Sequence, residues 1–418
     1  MTICYVTHSA PCGKGETFIV QEIIEMKKYF QVVIIPIRPM GMPQYEDAQL
    51  LMNDSIILPL LNIKIIACFI LTIFSNPFLV IGNLISLISE SISLKVLLRN
   101  LCILPKAYYV TRVLKDKKIR HIHAHWSSIQ TTFGLIVAKN LGIDFSFTAH
   151  RYDIDENNML RKKVLEASFV RTISERGKNK IIRLTNLVQA DKNIHVIHMG
   201  VKIPRFKNVR ISKNTIPIIA CPANLEEVKG HTYLVEACAI LKSTGLKFKC
   251  LIIGSGSQYR SIKNLIGNKE LENEVLLVGY YPHSKLIEMM KNHVIDIIVL
   301  PSITTKDGAC EGIPVTLMEA MSFGIPVLST KTGGIPELLR EGGGIMVEEK
   351  DSKAIAQEVL RILSDENLRE KLTKLGYQRI RNHFNITKTC EELSSLIQKS
   401  IVRIESTSVR GGVVYSEK

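Results

Sequence analysis

The feature that most constrains the fold is an alternation of short apolar segments with longer amphipathic segments, which occurs twice along the chain. In the first half, Thr2–Thr7, Val32–Ile37, Ile119–His125 and Ile143–Thr148 have the pattern of strands, and Glu16–Phe30 has the pattern of a helix. Strands that alternate with helices in this way are typical of a parallel sheet covered by helices on both faces. The pattern therefore predicts a doubly wound α/β domain.

The same alternation restarts after a polar, basic connection. The pattern breaks over Val201–Asn214 and resumes with a strand at Ile216–Cys221. A chain of 418 residues is also about twice the usual size of one domain. We therefore predict two Rossmann-like domains that face a central cleft. The predicted boundaries are 1–205 for the N-terminal domain, 206–383 for the C-terminal domain, 384–405 for a helix returning to the first domain, and 406–418 for a disordered tail.

Charge and cysteine usage restrict the function classes. Lys and Arg number 54 against 39 Asp and Glu, and the net charge of +15 favours acidic partners such as phosphorylated small molecules or anionic lipid. Aromatic residues make up only 6% of the chain and do not interleave with arginine, so we expect no nucleic-acid partner. Nine scattered cysteines without a Cys-x-x-Cys pair indicate a reducing compartment and no structural zinc.

Residues 56–104 are unusually apolar, which raises the question of whether they span or contact a membrane. Ile56–Phe74 is interrupted by Pro59 and by polar residues, and its clean run, Ile65–Phe74, is half the length of about 20 residues that a spanning helix needs. Two interpretations stay open: a pair of buried or half-buried helices, or a monotopic surface whose apolar face enters an anionic leaflet. Met1–Val6 is a short strand pattern, so we expect no signal peptide.

The most informative stretch for chemistry runs from Glu311 to Glu319. Pro314 stands where a helix is predicted to begin, and the N–H groups of Val315 and Thr316 at a helix start attract a diphosphate. Glu311 in the preceding loop can accept hydrogen bonds from sugar hydroxyls, and Glu319 can hold a ribose diol. Two glutamates eight residues apart are also common on solvated helices, so the residues alone leave both interpretations open.

Three further loops follow predicted strands in the second half. Lys229 can neutralise phosphate as a point charge, although a lone loop lysine usually faces solvent. Gly254-Ser255-Gly256 and Gly279–Pro282, which contains Tyr281, also follow strands. They lie at the carboxyl edge, where open sheets bind ligands. Taken singly, each is an ordinary turn at the end of a strand.

An ordered set of segments carries a family resemblance over about residues 1–400. The segments are Pro11–Gly15 leading into Glu16–Ile23, then His121–His125, Phe147–Asp153, His198–Val201, Lys229–His231, Gly254–Gly256, Pro301-Ser302, Glu311–Glu319, Phe323–Val327 and Thr332–Glu337. In this order they resemble the GT-B-fold glycosyltransferases of the large family four, the group 1 glycosyltransferases. Glu16-Thr17-Phe18 and His121–His125 resemble the subgroup that builds exopolysaccharide, capsule or O-antigen chains.

The resemblance implies a role for each matching position. Glu311 would contact the donor sugar, Lys229 the diphosphate, and His150 the transferred sugar, as the catalytic set. The donor-binding set would add Glu319, Gly312, Ile313, Pro314, Val315, Thr316, Asn224, Gly254, Gly256 and Tyr281, and the phosphate and acceptor loop would comprise Gly13, Lys14 and Gly15.

The resemblance also implies that the enzyme needs neither a metal nor a cofactor, with a nucleotide-diphosphate sugar as co-substrate. His121, His123 and His125 alternate on a strand and invite a metal interpretation, but no carboxylate or cysteine motif accompanies them in the sequence. We therefore expect no metal site there.

One position departs from the family pattern. Asn224 stands where the family usually has an arginine that pairs with the lysine on the diphosphate. Loss of that charged fork weakens donor binding by about 1.5–3 kcal/mol if nothing replaces it. Arg260 and Arg151 are the candidate replacements.

The implied function is retaining transfer of a sugar from a UDP- or GDP-linked donor to a lipid-linked oligosaccharide in surface polysaccharide biosynthesis. The expected location is cytoplasmic, with peripheral contact at an anionic membrane as a further possibility. Two alternatives stay open: a nucleotide-sugar epimerase of the same fold, and a non-catalytic sugar-nucleotide-binding scaffold, which Asn224 makes conceivable. A nicotinamide oxidoreductase is disfavoured because no Gly-x-Gly-x-x-Gly follows the first strand.

Overall fold

The chain forms two compact units. The computed structural model describes residues 1–12, 16–43, 46–204 and 215–410. One unit comprises Met1–Gly200 with Thr387–Lys418, and the other comprises Val201–Ile386. Several sequence-based assignments lie outside the described residues: the boundary between 205 and 206, the loop residues Gly13, Lys14 and Gly15, and positions 411–418 of the predicted tail.

The first unit is built on a parallel sheet of six strands in the order β2-β1-β3-β4-β5-β6. The strands are β1 (Thr2–Thr7), β2 (Gln31–Pro36), β3 (Ile119–His125), β4 (Asp144–Ala149), β5 (Phe169–Thr172) and β6 (Ile194–Val196). Cys4 of β1, which lies between β2 and β3, is opposite Val33 on one side and Ile122 on the other. These side chains are apolar because helices cover both faces of the sheet, as a parallel sheet requires.

The helices of this unit follow the strands in the predicted alternation. They are α1 (Thr17–Met26), α2 (Glu46–Gln49), α3 (Ile63–Ser75), α4 (Pro77–Glu90), α5 (Leu94–Leu114), α6 (Ile129–Leu141), α7 (Tyr152–Asp155), α8 (Leu160–Glu166) and α9 (Glu175–Thr185). Asn62 and Ser93 cap the N-termini of α3 and α5 by accepting a hydrogen bond from the amide three residues on. The apolar segment 56–104 therefore divides into three separate helices.

The second unit repeats the plan with strand order β12-β11-β10-β7-β8-β9, and all paired strands are parallel. Its strands are β7 (Ile218–Pro222), β8 (Lys249–Ile253), β9 (Val275–Gly279), β10 (Ile297–Leu300), β11 (Val327–Thr330) and β12 (Ile345–Val347). Its helices are α10 (His231–Ser243), α11 (Tyr259–Asn268), α12 (His283–Lys291), α13 (Val315–Ser322), α14 (Ile335–Leu339), α15 (Ser352–Ser364) and α16 (Glu366–His383).

Helix α16 extends beyond the Leu375 at which the sequence pattern ends it. The pattern predicts a helix over Glu366–Leu375, whereas α16 runs to His383 with Gly376 inside it. A Cβ at this position would approach the carbonyl oxygen of Gly343 to 2.9 Å. Close packing of two backbones therefore explains the glycine, and no helix end is needed.

The last helix, α17 (Ile386–Arg410), belongs to the first unit from Thr387 onward. Ser400 Oγ lies 3.1 Å from His121 Nδ1 of β3, and the Cys390 thiol donates to the carbonyl oxygen of Glu22 in α1. The helix continues five residues past the predicted end at 405. The architecture confirms the predicted fold class, two doubly wound α/β domains.

Candidate functional site

The predicted donor-binding residues of the second unit follow the strands on both sides of its topological switch point. Strand β7 has β8 on one side and β10 on the other, so the chain leaves β7 and β10 in opposite directions. Ligands of open α/β sheets bind outside the carboxyl ends of the strands at such a point. Lys229 follows β7 and Glu311 follows β10, so the topology brings both to this position.

Lys229 and Glu311 form an ion pair across the switch point. Lys229 Nζ donates to Glu311 Oε2, and the Ser302 hydroxyl lies 3.3 Å from the same oxygen. The amide N–H of Gly312 donates to Glu311 Oε1 over 3.1 Å. The Lys229 side chain is 22% exposed and the Glu311 side chain 12%. A cation and a carboxylate thus reach solvent together, and a ligand phosphate and a sugar hydroxyl can compete for them.

The loop that carries Glu311 is held by two glycines after β11. Gly334 N–H donates to the carbonyl oxygens of Glu311 and Gly312, each over 3.2 Å. Gly333 has a φ of +59°, and a Cβ there would approach the Glu311 carbonyl oxygen to 1.8 Å. Only glycine permits both the left-handed backbone and this approach. Thr332-Gly333-Gly334 therefore fixes the backbone position of Glu311.

Helix α13 begins immediately after this loop. Pro314 occupies the N-cap position, one residue earlier than the first helical position that proline favours. The N–H groups of Val315 and Thr316 have no acceptor within the helix, because the first turn precedes the helical hydrogen-bond ladder. The Thr316 hydroxyl lies 3.3 Å from the carbonyl oxygen of Pro222, at the end of β7. The helix N-terminus is thereby held beside the Lys229 loop, where its partial positive charge suits a diphosphate.

Glu319 and Tyr281 both have partners from the segment after β9. Glu319 Oε1 lies 2.6 Å from His283 Nε2, and the Glu319 side chain is 12% exposed. The Lys285 ammonium lies 3.6 Å from the centre of the Tyr281 ring. His283 was missed by the sequence analysis, although it directly follows the Tyr280-Tyr281-Pro282 turn. Glu319 thus joins the same carboxyl edge, with a histidine as its neighbour.

Asn224, Gly254 and Gly256 lie in two loops that touch. A Cβ at Gly254 would approach the Ala223 carbonyl oxygen to 2.1 Å, and one at Gly256 would approach the Leu225 carbonyl oxygen to 2.5 Å. These two glycines therefore let the loop after β8 support the loop after β7, and Asn224 is exposed between them.

The two candidate replacements for the missing arginine lie in different units. Arg260 is exposed on α11 of the second unit. Arg151 belongs to the first unit, where its guanidinium lies 3.9 Å from the centre of the Tyr152 ring. Arg260 is thus the candidate that shares a unit with Lys229.

His150, the predicted catalytic residue of the first unit, is buried at the end of β4. Its Nε2 lies 3.2 Å from His125 Nδ1, and its ring centre lies 4.2 Å from that of Trp126. The Asp153 carboxylate accepts hydrogen bonds from the N–H groups of His150 and Arg151. Burial holds the pKa of His150 well below its ordinary value, so the ring is neutral near pH 7.

Glu16 organises the loop at the end of β1. One oxygen of its carboxylate accepts hydrogen bonds from the N–H groups of Ser9 and Ala10, at 2.8 and 2.7 Å. The other oxygen accepts from Trp126 Nε1 over 2.7 Å. Since Trp126 packs on His150, Glu16 connects the loop after β1 to the His150 ring.

A buried charge network behind His150 was not anticipated from the sequence. Glu22 of α1 pairs with Arg171 of β5 at 2.5 Å, and Glu22 Oε1 lies 2.9 Å from His125 Nε2. Burial alone opposes ionisation of Glu22, but Arg171 and His125 outweigh it and hold the pKa of the carboxyl well below its ordinary value. The available signal was a glutamate on the apolar face of α1 and an arginine within an apolar strand, since buried charges of opposite sign imply a pair.

The structure also corrects the reason given for expecting no metal at the histidine strand. Among the described residues, ligand atoms of Glu22, His123 and His125 lie within 4.8 Å of one another, so a carboxylate does accompany the histidines. Both nitrogens of His123 already bond to hydroxyls, those of Ser146 at 2.7 Å and Thr148 at 2.8 Å. The Glu22 oxygens bond to His125 and Arg171. The expected absence of a metal stays a prediction.

The buried histidines predict acid sensitivity of the first unit. Burial lowers the pKa of His121 to about 3 and holds the pKa of His123 and His150 well below the ordinary value. Below about pH 6.5 the unfolded chain binds protons that the folded unit does not, so stability is lost as the pH falls. Each histidine contributes about 1.4 kcal/mol per pH unit once it is protonated in the unfolded state.

Urea unfolding followed by the fluorescence of Trp126, the single tryptophan, measures this slope between pH 7.5 and 5. We expect H121Q to reduce the slope of the unfolding free energy against pH by the contribution of one histidine, about 1.4 kcal/mol per pH unit. An unfolding free energy that does not change over this range would contradict neutral burial of the three rings.

Comparison with known proteins places the second unit in a family. Residues 202–379 match the family model described as "Glycosyl transferases group 1". The putative colanic acid biosynthesis glycosyltransferase WcaL of Escherichia coli K12 is 36% identical over 219 residues, 52% of this chain and 53% of that protein. The amylovoran biosynthesis glycosyltransferase AmsK of Erwinia amylovora is 34% identical over 210 residues, 50% of this chain and 51% of that protein. The chain thus spans about half the length of these curated relatives.

Solved structures resemble the chain over nearly its whole length. HepE of Anabaena in complex with UDP aligns with a TM-score of 0.69 and 15% identity, covering 96% of this chain and 100% of that one. Sucrose-phosphate synthase of Thermosynechococcus elongatus aligns with a TM-score of 0.69 and 16% identity, covering 96% and 99%. These likenesses show the GT-B fold. The family model matches residues 202–379, most of the second unit, and its description is that of the family whose resemblance the sequence carries.

Proposed function

We propose that the chain is a retaining glycosyltransferase that transfers a sugar from a nucleotide-diphosphate donor. The observation that carries the proposal is the convergence of Lys229, Glu311 and the start of α13 at the switch point of the second sheet. A cation and free backbone N–H groups suit the diphosphate, and a carboxylate beside them suits the sugar hydroxyls. These are the groups that the family resemblance assigns to the donor.

The proposed reaction exchanges one bond at the anomeric carbon for another. The bond from that carbon to the diphosphate oxygen breaks, and the charge on the leaving diphosphate is stabilised by Lys229 and the α13 N-terminus. The acceptor hydroxyl attacks from the same face and gives its proton to the departing phosphate, so no side-chain nucleophile is needed. The family resemblance assigns His150 to the transferred sugar, and burial keeps its ring neutral.

The substrates follow from the same resemblance and from the relatives' names. WcaL and AmsK are named for colanic acid and amylovoran biosynthesis, and HepE was solved with UDP, so we propose a UDP- or GDP-linked donor and an exopolysaccharide product. The proposed acceptor is a lipid-linked oligosaccharide, met on the cytoplasmic side with peripheral contact to an anionic membrane. The reaction is proposed to need no metal and no further cofactor.

A panel of UDP- and GDP-sugars tests the donor class by thermal stabilisation of the full chain. A ligand at 100 times its dissociation constant adds about 2.7 kcal/mol to the stability of the form that binds it. We expect one nucleotide class to stabilise the chain, E311A to lose polymer synthesis, and the surface variant E348A to keep it, since Glu348 is 68% exposed. Stabilisation by neither class, or full polymer synthesis by E311A, would overturn the proposal.

A further inference from the structure

Helices α3 and α4 expose an apolar surface that packing in the first unit does not use. Among the described residues, more than half of the exposed large apolar side chains lie between Ile57 and Leu98. Phe74 is 80% exposed, Phe78 89% and Ile63 87%. We call the exposed apolar side chains from Ile63 to Leu94 the α3–α4 surface. Single exposed apolar residues are ordinary, but a contiguous apolar face of this kind marks an interaction site.

The core uses only the opposite face of these helices. The buried side chains are Ile65 and Cys68 on α3, and Val80 and Leu87 on α4. Each of the two helices therefore has one face in the core and the other face exposed to solvent. Helices α3 and α4 are thus half-buried, and their exposed outer face keeps the second interpretation, a monotopic surface, open.

The shape of the pair favours insertion into one leaflet. No single helix among the described residues is long and apolar enough to cross a membrane; α3 and α4 meet that test only as a pair, and the pair is bent by 108°. The bend falls at Asn76-Pro77, and the two most exposed phenylalanines, Phe74 and Phe78, flank it. A bent tip with aromatic side chains suits a shallow wedge among acyl chains.

The charge pattern favours lipid over a protein partner. No Asp, Glu, Lys or Arg occurs between Lys64 and Glu90, and no Trp, Tyr or Arg occurs from Ile57 to Leu94. Protein interfaces usually centre on Trp, Tyr and Arg and carry a polar rim. Exposed Lys64 and Lys95 flank the surface at its two ends, where ammonium groups can reach anionic headgroups while their stems stay apolar.

A groove beneath the bend offers room for hydrocarbon. It has a volume of about 370 Å³ and is lined by apolar side chains of α3, α4 and α5, among them Phe69, Val80 and Leu104. An acyl chain buried against these side chains is stabilised, because apolar surface on both is removed from water.

The base of the segment is anchored to the sheet. Lys106 of α5 donates to the carbonyl oxygens of Pro36, Ile37 and Leu58, each over 2.8 Å. This ammonium is buried, so its three bonds tie the end of β2 and the approach to α3 to one point. The α3–α4 surface is therefore displayed from a fixed base.

We propose that the α3–α4 surface docks the protein on an anionic bilayer, with Phe74 and Phe78 among the acyl chains, a bilayer lipid chain in the groove, and Lys64 and Lys95 at the headgroups. The proposal assigns the peripheral membrane contact to a defined surface of the first unit. It does not depend on the proposed catalysis, because vesicle binding can be measured without a donor or an acceptor.

Co-flotation of the full chain with phosphatidylglycerol/phosphatidylethanolamine vesicles tests the surface. We expect the wild type to float and F74E/F78E to lose vesicle affinity by on the order of 100-fold, since two largely exposed phenylalanines leave hydrocarbon. The control is V188E, a substitution of an apolar side chain of the same unit that is 72% exposed; this variant should float as the wild type does. Unchanged thermal midpoints confirm that the variants fold.

Two further measurements test separately whether the lysines contact the headgroups and whether Phe78 lies among the acyl chains. K64Q/K95Q should weaken binding to anionic vesicles about tenfold and leave binding to phosphatidylcholine vesicles unchanged. The added fluorescence of F78W should be quenched by lipids brominated on their acyl chains, whereas that of V188W should not. Absence of flotation by the wild type, equal flotation by F74E/F78E, or a solution dimer that F74E/F78E dissociates in place of vesicle binding would overturn the proposal.

Discussion

K229M lowers kcat/KM for the donor by about 10²–10³-fold if Lys229 stabilises the leaving diphosphate. Loss of one preorganised group at a developing charge costs about 2.7–4 kcal/mol. The substitution also leaves Glu311, whose side chain is 12% exposed, without the ammonium that now pairs with it. Steady-state kinetics with the donor identified by thermal stabilisation measure the effect, and the shift in melting temperature on adding that donor should shrink in parallel.

A second lysine–glutamate pair in the same unit provides the control. Lys331 pairs with Glu348 on the surface, with side chains 52% and 68% exposed. We expect K331M to keep its activity, because exposed pairs contribute little. K229R should retain more activity than K229M because it keeps the charge. Equal losses in K229M and K331M would show that the Lys229 position has no special role.

R171M destabilises the first unit by about 3–5 kcal/mol, because it leaves the Glu22 charge buried without its partner. Arg171 is fully buried; beyond Glu22 it donates to the carbonyl oxygens of Ile197 and His198, each over 2.9 Å. Urea unfolding followed by Trp126 fluorescence measures the loss. The double variant E22Q/R171M should recover part of it, since the unpaired charge is removed, and failure to recover any would argue against the pair.

The same pair gives a pH signature with a definite sign. The pKa of Glu22 is lower in the folded than in the unfolded state. Its contribution is therefore present above the unfolded value of about 4.3 and is lost as the pH falls. E22Q should remove that part of the acid dependence, while the part due to the buried histidines at higher pH remains. The two contributions can be separated because their pH ranges differ.

Much of the fold was predictable because its signals are local. Strand and helix patterns are set by neighbouring residues, and β1 and β3 fall where the alternation of apolar segments places them. The end of α16 was predicted eight residues too early, and the close approach of Gly376 inside it to Gly343, 33 residues away in sequence, was not predicted. A pattern of neighbours cannot reveal such a contact.

The candidate donor site and its surroundings likewise contain residues that the sequence predicts and residues that it does not. Glu311, Lys229 and the start of α13 could be predicted as one group because each lies in or after the loop that follows a strand, and the topology of a parallel sheet brings those loops together. The pairing of Glu22 with Arg171 joins residues 149 positions apart, and only the packing of α1 on the sheet brings them into contact. His283 was missed because one histidine after a turn has no pattern of its own.

Helix α17 makes the first unit discontinuous along the chain, since the whole of Val201–Ile386 lies between its two parts. During synthesis the ribosome therefore delivers all of the second unit before Cys390 and Ser400 can reach their partners in α1 and β3. Until then part of the core of the first unit stays exposed to solvent, while the second unit is already complete. The core of the first unit is therefore completed only after α17 has been synthesised, and a chain that terminates before α17 lacks part of that core.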